Sequence, residues 1–196
     1  MKEVILIITM TLLLACQAKS KSEFAEVITA NETSAESITT TEPVQTVISF
    51  LKWYKVNYKD LNGEDLVDYK EYGGDTTKYY SVNFDKADKY LEKLKSSKLL
   101  TVGYLEAMKL HFLECDKNFQ EFLQNEGPPA GFDYDQVLLT QEIDDTISAL
   151  DKPTVINVSE TSGKAVVNVD IYMNRSFKLS KIDGKWLIDK IELYAH

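Results

Sequence analysis

The strongest constraint on the fold is a change of hydrophobic period near Gly131. Before it, apolar residues recur three and four apart, the spacing of one helix face. After it they alternate within short β-branched and aromatic runs, the spacing of half-buried strands. Leu105, Met108, Phe112, Cys115, Phe119 and Phe122 form the longest helical stripe, with Thr101 as its expected N-cap and Gly127-Pro128-Pro129 beyond its end. That stripe is too short and isolated for a coiled coil and reads as a core helix. Val44, Val47, Ile48, Leu51, Tyr54 and Tyr58 predict a helix over 43–59, closed by Asn62-Gly63. Asp85 is the expected N-cap of a third helix, whose buried face is Ala87, Tyr90, Leu91 and Leu94. The stretch 66–80 shows no clear period and holds a loop at Gly73-Gly74.

The second half predicts strands over 155–158, 165–173, 176–182 and 186–194, with turns at Ser162-Gly163, Met173-Asn174 and Asp183-Gly184. Asp-Gly is the strongest of these hairpin signals. Helices first and an antiparallel meander last give an α+β fold, with N-terminal helices packed on the apolar face of a curved C-terminal sheet. Strand and helix never alternate, which disfavours a doubly wound fold.

The N-terminus carries Lys2 and then an apolar run over 4–15, broken only by Thr9 and Thr11. It is too short to cross a bilayer core of about 30 Å and reads as a signal sequence. Its end, Leu13-Leu14-Ala15-Cys16, resembles the lipobox of bacterial lipoproteins. The resemblance implies cleavage between Ala15 and Cys16 and several acyl chains on Cys16, enough for permanent anchoring where one chain binds only marginally. The alternative is an ordinary signal peptide that happens to precede a cysteine. The expected organisation is therefore a signal peptide over 1–15, a lipidated cysteine and tether over 16–42, and a single globular domain over 43–196. The tether is rich in Ser, Thr, Glu and Ala, and a coil of about 25 residues reaches roughly 25 to 30 Å. Gln17 occupies the place where Asp signals inner-membrane retention in enteric lipoprotein sorting. No acidic run follows Cys16, so the expected location is the outer membrane, facing the periplasm.

Net charge is -9, and losing residues 1–15 removes one Lys and one Glu, leaving it unchanged. Such acidity argues against nucleic acid as a partner and favours solubility. With Cys16 lipidated, Cys115 has no partner for an intramolecular disulfide, and its place among Phe112 and Phe119 is that of a small core hydrophobe. The two histidines are His111, beside the long stripe, and the terminal His196. Neither a zinc site nor a Ser/His/Asp triad is readily built from them, so no catalytic residue, metal or cofactor is assigned. One polar cluster stands out: Asp133, Tyr134, Asp135, Gln141 and Glu142, in a loop or short strand after Pro128-Pro129. Asp133, Tyr134, Asp135 and Gln141 are the candidate ligand or pocket residues. The competing reading is a solvated acidic loop with local capping bonds, because Asp-x-Asp lacks the further ligands and glycine of a calcium loop.

The ending Phe177-Lys178-Leu179-Ser180-Lys181-Ile182-Asp183-Gly184-Lys185-Trp186-Leu187-Ile188 resembles the last hairpin of cystatin-like, nuclear-transport-factor-2-like folds. Together with the opening helix, Tyr90-Leu91-Glu92-Lys93-Leu94 and Phe132-Asp133-Tyr134-Asp135-Gln136-Val137, it is similar to the lipoprotein-rich bacterial family named domain of unknown function 3828. Gln136 and Val137 replace that family's Pro-Phe, and Glu142 replaces its Asp. The resemblance implies a fold and an envelope location, and brings no activity with it. The leading expectation is a non-enzymatic envelope lipoprotein, held to the membrane by lipid on Cys16, that binds an envelope protein or a small ligand. The alternatives are a metal-independent pocket enzyme with an Asp or Glu base beside a tyrosine, and an immunity or inhibitor lipoprotein whose acidic surface masks a basic site.

Overall fold

The computed structural model describes residues 41–62, 65–74 and 76–194. The expected signal peptide, Cys16, the tether up to residue 40, Gly63 and His196 lie outside the described residues. Among those described, four helices and a two-stranded hairpin precede a four-stranded antiparallel sheet, the α+β arrangement expected.

Helix α1 (Glu42–Leu61) has Pro43 in its first turn, where a missing N–H costs nothing, and buries Val44, Val47, Phe50, Leu51 and Tyr54. It packs on two strands of the four-stranded sheet, Lys164–Ile171 and Lys185–Leu193. Its first residue is clamped to the sheet's last hairpin: Glu42 Oε2 accepts from Lys181 Nζ at 2.8 Å and from Trp186 Nε1 at 3.2 Å.

Strands β1 (Val67–Glu71) and β2 (Lys78–Val82) form the hairpin in the stretch that shows no period. The cause is visible in β1, where Asp68, Tyr69, Lys70 and Glu71 are all exposed, so no inward face alternates with an outward one. The hairpin is held through β2. Val82 N donates to Asp116 Oδ1 at 2.9 Å, and Tyr80 N donates to the Gln124 carbonyl at 2.8 Å.

Helix α2 (Phe84–Lys95) is capped by Asn83, whose side chain accepts from Lys86 N at 3.0 Å; the expected cap, Asp85, lies inside the first turn. There its charge faces the positive end of the helix dipole. Helix α3 (Val102–Glu121) starts where expected, with Thr101 Oγ1 accepting from Tyr104 N at 3.1 Å. Its buried stripe is Tyr104, Met108, Phe112, Cys115 and Phe119. Phe122, expected to continue the stripe, is the C-cap and is 74% exposed because the chain has left the helix there.

After a short α4 (Ile143–Ala149), β3 (Thr154–Thr161), β4 (Lys164–Ile171), β5 (Met173–Ile182) and β6 (Lys185–Leu193) follow as a meander in sheet order. Ser162-Gly163 and Asp183-Gly184 each have positive φ at both positions, the geometry that matches the strands' twist. The turn expected at Met173-Asn174 falls earlier. Tyr172 makes it alone at φ 80°, with Ile171 opposite Met173, so Met173 and Asn174 belong to β5.

The inner face of the sheet alternates cleanly through Ala165, Val167, Val169 and Ile171 on β4, and through Arg175, Phe177 and Leu179 on β5. On β6 it passes from Trp186 and Ile188 to Ile191. Lys178 faces Lys190 and Leu179 faces Ile188, which leaves Asp189 as the extra residue of a bulge that resets the alternation.

Candidate functional site

The segment joining α3 to α4 dips into the core at Val137 and Leu138, both fully buried. A loop that goes inside must satisfy its own backbone groups, because water no longer can. Two side chains do this. Asp135 Oδ1 accepts from Val137 N at 3.1 Å and Leu138 N at 2.6 Å, while the buried Arg175 donates through Nε to the Leu138 carbonyl and through an Nη to the Leu139 carbonyl at 3.1 Å. Arg175 also donates to the Asn174 carbonyl at 3.0 Å. Leu139 takes φ 54° to complete the reversal, and this turn is why the segment is not a strand.

The other oxygen of Asp135 faces α1. Oδ2 accepts from the Tyr54 hydroxyl at 2.5 Å and from Asn62 Nδ2 at 3.3 Å. A carboxylate has about four acceptor positions, and here all four are engaged. Burial lowers the Arg175 pKa, and the Asp135 charge, which favours the guanidinium, offsets part of that effect.

The candidate residues therefore separate. Asp135 is a buried anchor. Asp133 is exposed and accepts from Gln141 Nε2 at 3.1 Å, a surface pair. Tyr134 is partly buried, and burial raises its hydroxyl pKa. Glu142 is exposed and caps α4 through its carbonyl, which accepts from Thr146 N at 3.0 Å.

All four candidate residues border one cleft of about 290 Å³, together with Tyr58, Asn62 and Thr140. A larger cleft of about 380 Å³ shares Asn62, Phe132 and Tyr134 with it and runs between the β1–β2 hairpin and the 129–136 segment. Val67, Tyr69 and Tyr80 form one wall, Pro129, Phe132, Tyr134 and Gln136 the other, and Leu61 and Asn62 lie at the end of α1. Phe132 is fixed from beneath by stacking on Phe112 at 5.7 Å and Phe119 at 6.2 Å between ring centroids. Tyr80 is fixed by donating its hydroxyl to the Gly127 carbonyl at 2.6 Å. Arg175, Asn62 and the hairpin were not anticipated as parts of this site. For Arg175 a signal exists, since it alternates in phase with Phe177 and Leu179.

Behind the loop, the hydroxyls of Tyr54, Tyr90 and Tyr104 have pKa values above the ordinary 10.0, raised first by burial and then by the Asp135 charge. In the unfolded chain these groups release protons near pH 10, whereas the folded chain keeps them. Stability is thus complete below about pH 10 and falls above it, by about 1.4 kcal/mol per pH unit for each such tyrosine. An absorbance titration should show these three of the eleven tyrosines ionising only as the fold is lost, and Tyr54→Phe should make that alkaline transition less steep. Ionisation of all eleven with the circular dichroism intact would contradict this.

Cys115 is buried, and burial followed by the neighbouring Glu114 charge raises its thiol pKa, which suits packing rather than nucleophilic attack. Gly131 sits against it at φ 85°, where an added Cβ would lie 2.6 Å from the Cys115 sulfur. Gly131→Ala is therefore strained twice, and should lower stability by more than about 1 kcal/mol in urea unfolding.

No group of residues suited to a metal ion is found among the described residues, and no described helix is long and apolar enough to cross a membrane. No protein-family model, curated protein or solved structure matches the chain.

Proposed function

We propose that this chain is an envelope lipoprotein, anchored through lipid on Cys16, whose domain binds a small ligand in the paired cleft around Tyr134. The observation that carries the reading is the cleft's construction: aromatic rings and the amides of Asn62, Gln136 and Gln141 border it, and a buried network holds its loop wall. Concave sites of about 300 Å³ and more, largely pre-formed and edged by a few polar groups, are the usual form of small-ligand sites. The enzymatic alternative would use Asp135 beside the Tyr54 hydroxyl. Four accepted hydrogen bonds leave that carboxylate no free lone pair to take a substrate proton. The resemblances to the cystatin-like fold and to the domain of unknown function 3828 family, and the outer-membrane location facing the periplasm, belong to the same proposal. An α+β fold with helices ahead of an antiparallel meander supports the first of these, and the lipobox-like Leu13-Leu14-Ala15-Cys16 followed by Gln17 supports the last.

For the anchor, Cys16→Ala is expected to move the protein from the membrane pellet to the soluble fraction; a variant that still pellets would rule lipid on Cys16 out. For the site, the lipidated protein labelled with meta-fluorotyrosine and held in lipid nanodiscs is titrated with a small-molecule extract of the envelope. Resonances of Tyr69 and Tyr134 should move while that of the core residue Tyr104 stays. A spectrum in which no cleft tyrosine responds would overturn the binding reading.

A further inference from the structure

The chemistry bordering the clefts narrows the ligand, an inference that rests on the binding reading above. Tyr69, Tyr80, Phe132 and Tyr134 border the larger cleft and Tyr58 the smaller. Every formally charged side chain on their described borders is a carboxylate: Asp65 on the larger, Asp133 and Asp135 on the smaller. No Lys, Arg or His borders either, although the chain has 22 Lys and Arg. Leu61 and Leu66 also border a separate depression toward α2, where Lys86, Lys89 and Lys93 lie beside Asp60, with Lys93 paired to Asp60 at 3.1 Å and Lys86 to Asp68 at 3.5 Å. Asp65 is exposed and, like Asp133, belongs to none of the described ion pairs.

Each class of ligand meets this border differently. An anion is repelled by the carboxylates, and a neutral polyol gains from the rings but nothing from the charges. A cation with an apolar body gains from both, because aromatic faces attract positive charge and carboxylates at the rim raise its local concentration. We propose that the cleft takes an organic cation, an alkylammonium group seated among the Tyr69, Phe132 and Tyr134 rings with Asp65 at its rim.

The test uses the same fluorotyrosine-labelled, lipidated protein with two probes of equal shape: choline, and neohexanol, in which carbon replaces the nitrogen. Choline should move the Tyr69 and Tyr134 resonances saturably, with neohexanol binding about tenfold more weakly or not at all. Asp65→Asn, an exposed change that leaves the core untouched, should weaken choline binding several-fold, and added salt should do the same. Equal affinities for the two probes, or choline binding indifferent to both Asp65→Asn and salt, would overturn the proposal. If the envelope extract moves the cleft tyrosines and choline does not, the cation assignment falls while the binding reading stands. If the extract also leaves them unmoved, both fall.

Discussion

Arg175→Ala is expected to be the most damaging single change in this domain, lowering its stability by about 3 to 5 kcal/mol out of a typical total of about 5 to 15. The guanidinium is fully buried on the inner face of β5 and donates to the Leu138 and Leu139 carbonyls, and to that of Asn174, which also accepts from Tyr194 N. Truncation leaves the fully buried Leu138 carbonyl without this donor and opens a cavity beneath the loop, two costs that add. Arg175→Lys keeps the charge but loses the planar fork that reaches several carbonyls at once, so it should recover only part of the loss. Urea unfolding followed by tryptophan fluorescence measures both, and a loss under about 1 kcal/mol for the alanine variant would show that the loop does not depend on Arg175.

Asp135→Asn should cost nearly as much, about 3 kcal/mol, although it removes no atom from the core. The amide places an N–H where Oδ2 accepts, so it meets Asn62 Nδ2 donor to donor and takes from the Tyr54 hydroxyl its acceptor, and it removes the negative charge that favours the buried guanidinium. The Tyr54 conflict should disappear in the Tyr54→Phe background. Asp135→Asn combined with Tyr54→Phe is then expected to be destabilised by clearly less than the sum of the single changes. Strict additivity would mean that the Tyr54 hydroxyl and Asp135 do not interact.

The parts of the fold legible in the sequence are those where one period runs uninterrupted. Val44 to Tyr54 and Tyr104 to Phe119 repeat at helical spacing, and Ala165, Val167, Val169 and Ile171 keep to one strand face. Asp183-Gly184 marked its hairpin because that pair takes the two positive φ values the turn needs. Legibility failed where tertiary structure overrides the local pattern. The bulge at Asp189 breaks the alternation on β6, Tyr172 carries a turn that its residue type does not advertise, and β1 has no buried face to announce it. The candidate site was half legible. Asp133, Tyr134, Asp135 and Gln141 stand out in the sequence, whereas Asp65, Tyr58, Tyr69, Tyr80 and Phe132 do not, and Asp133 and Asp135 look alike there. Their difference, one in solvent and one anchoring a buried loop, is set by Tyr54 and Arg175, which are distant in the chain and near in space.

The central claim is that the cleft around Tyr134 holds a small ligand. Native mass spectrometry of the lipidated protein, taken intact from its own membranes and released from detergent in the instrument, tests it most directly. The wild type should carry a discrete added mass, beyond its lipid, that is absent from Tyr134→Ala purified in the same way. A wild type with no added mass, or an identical mass on both proteins, would contradict the claim.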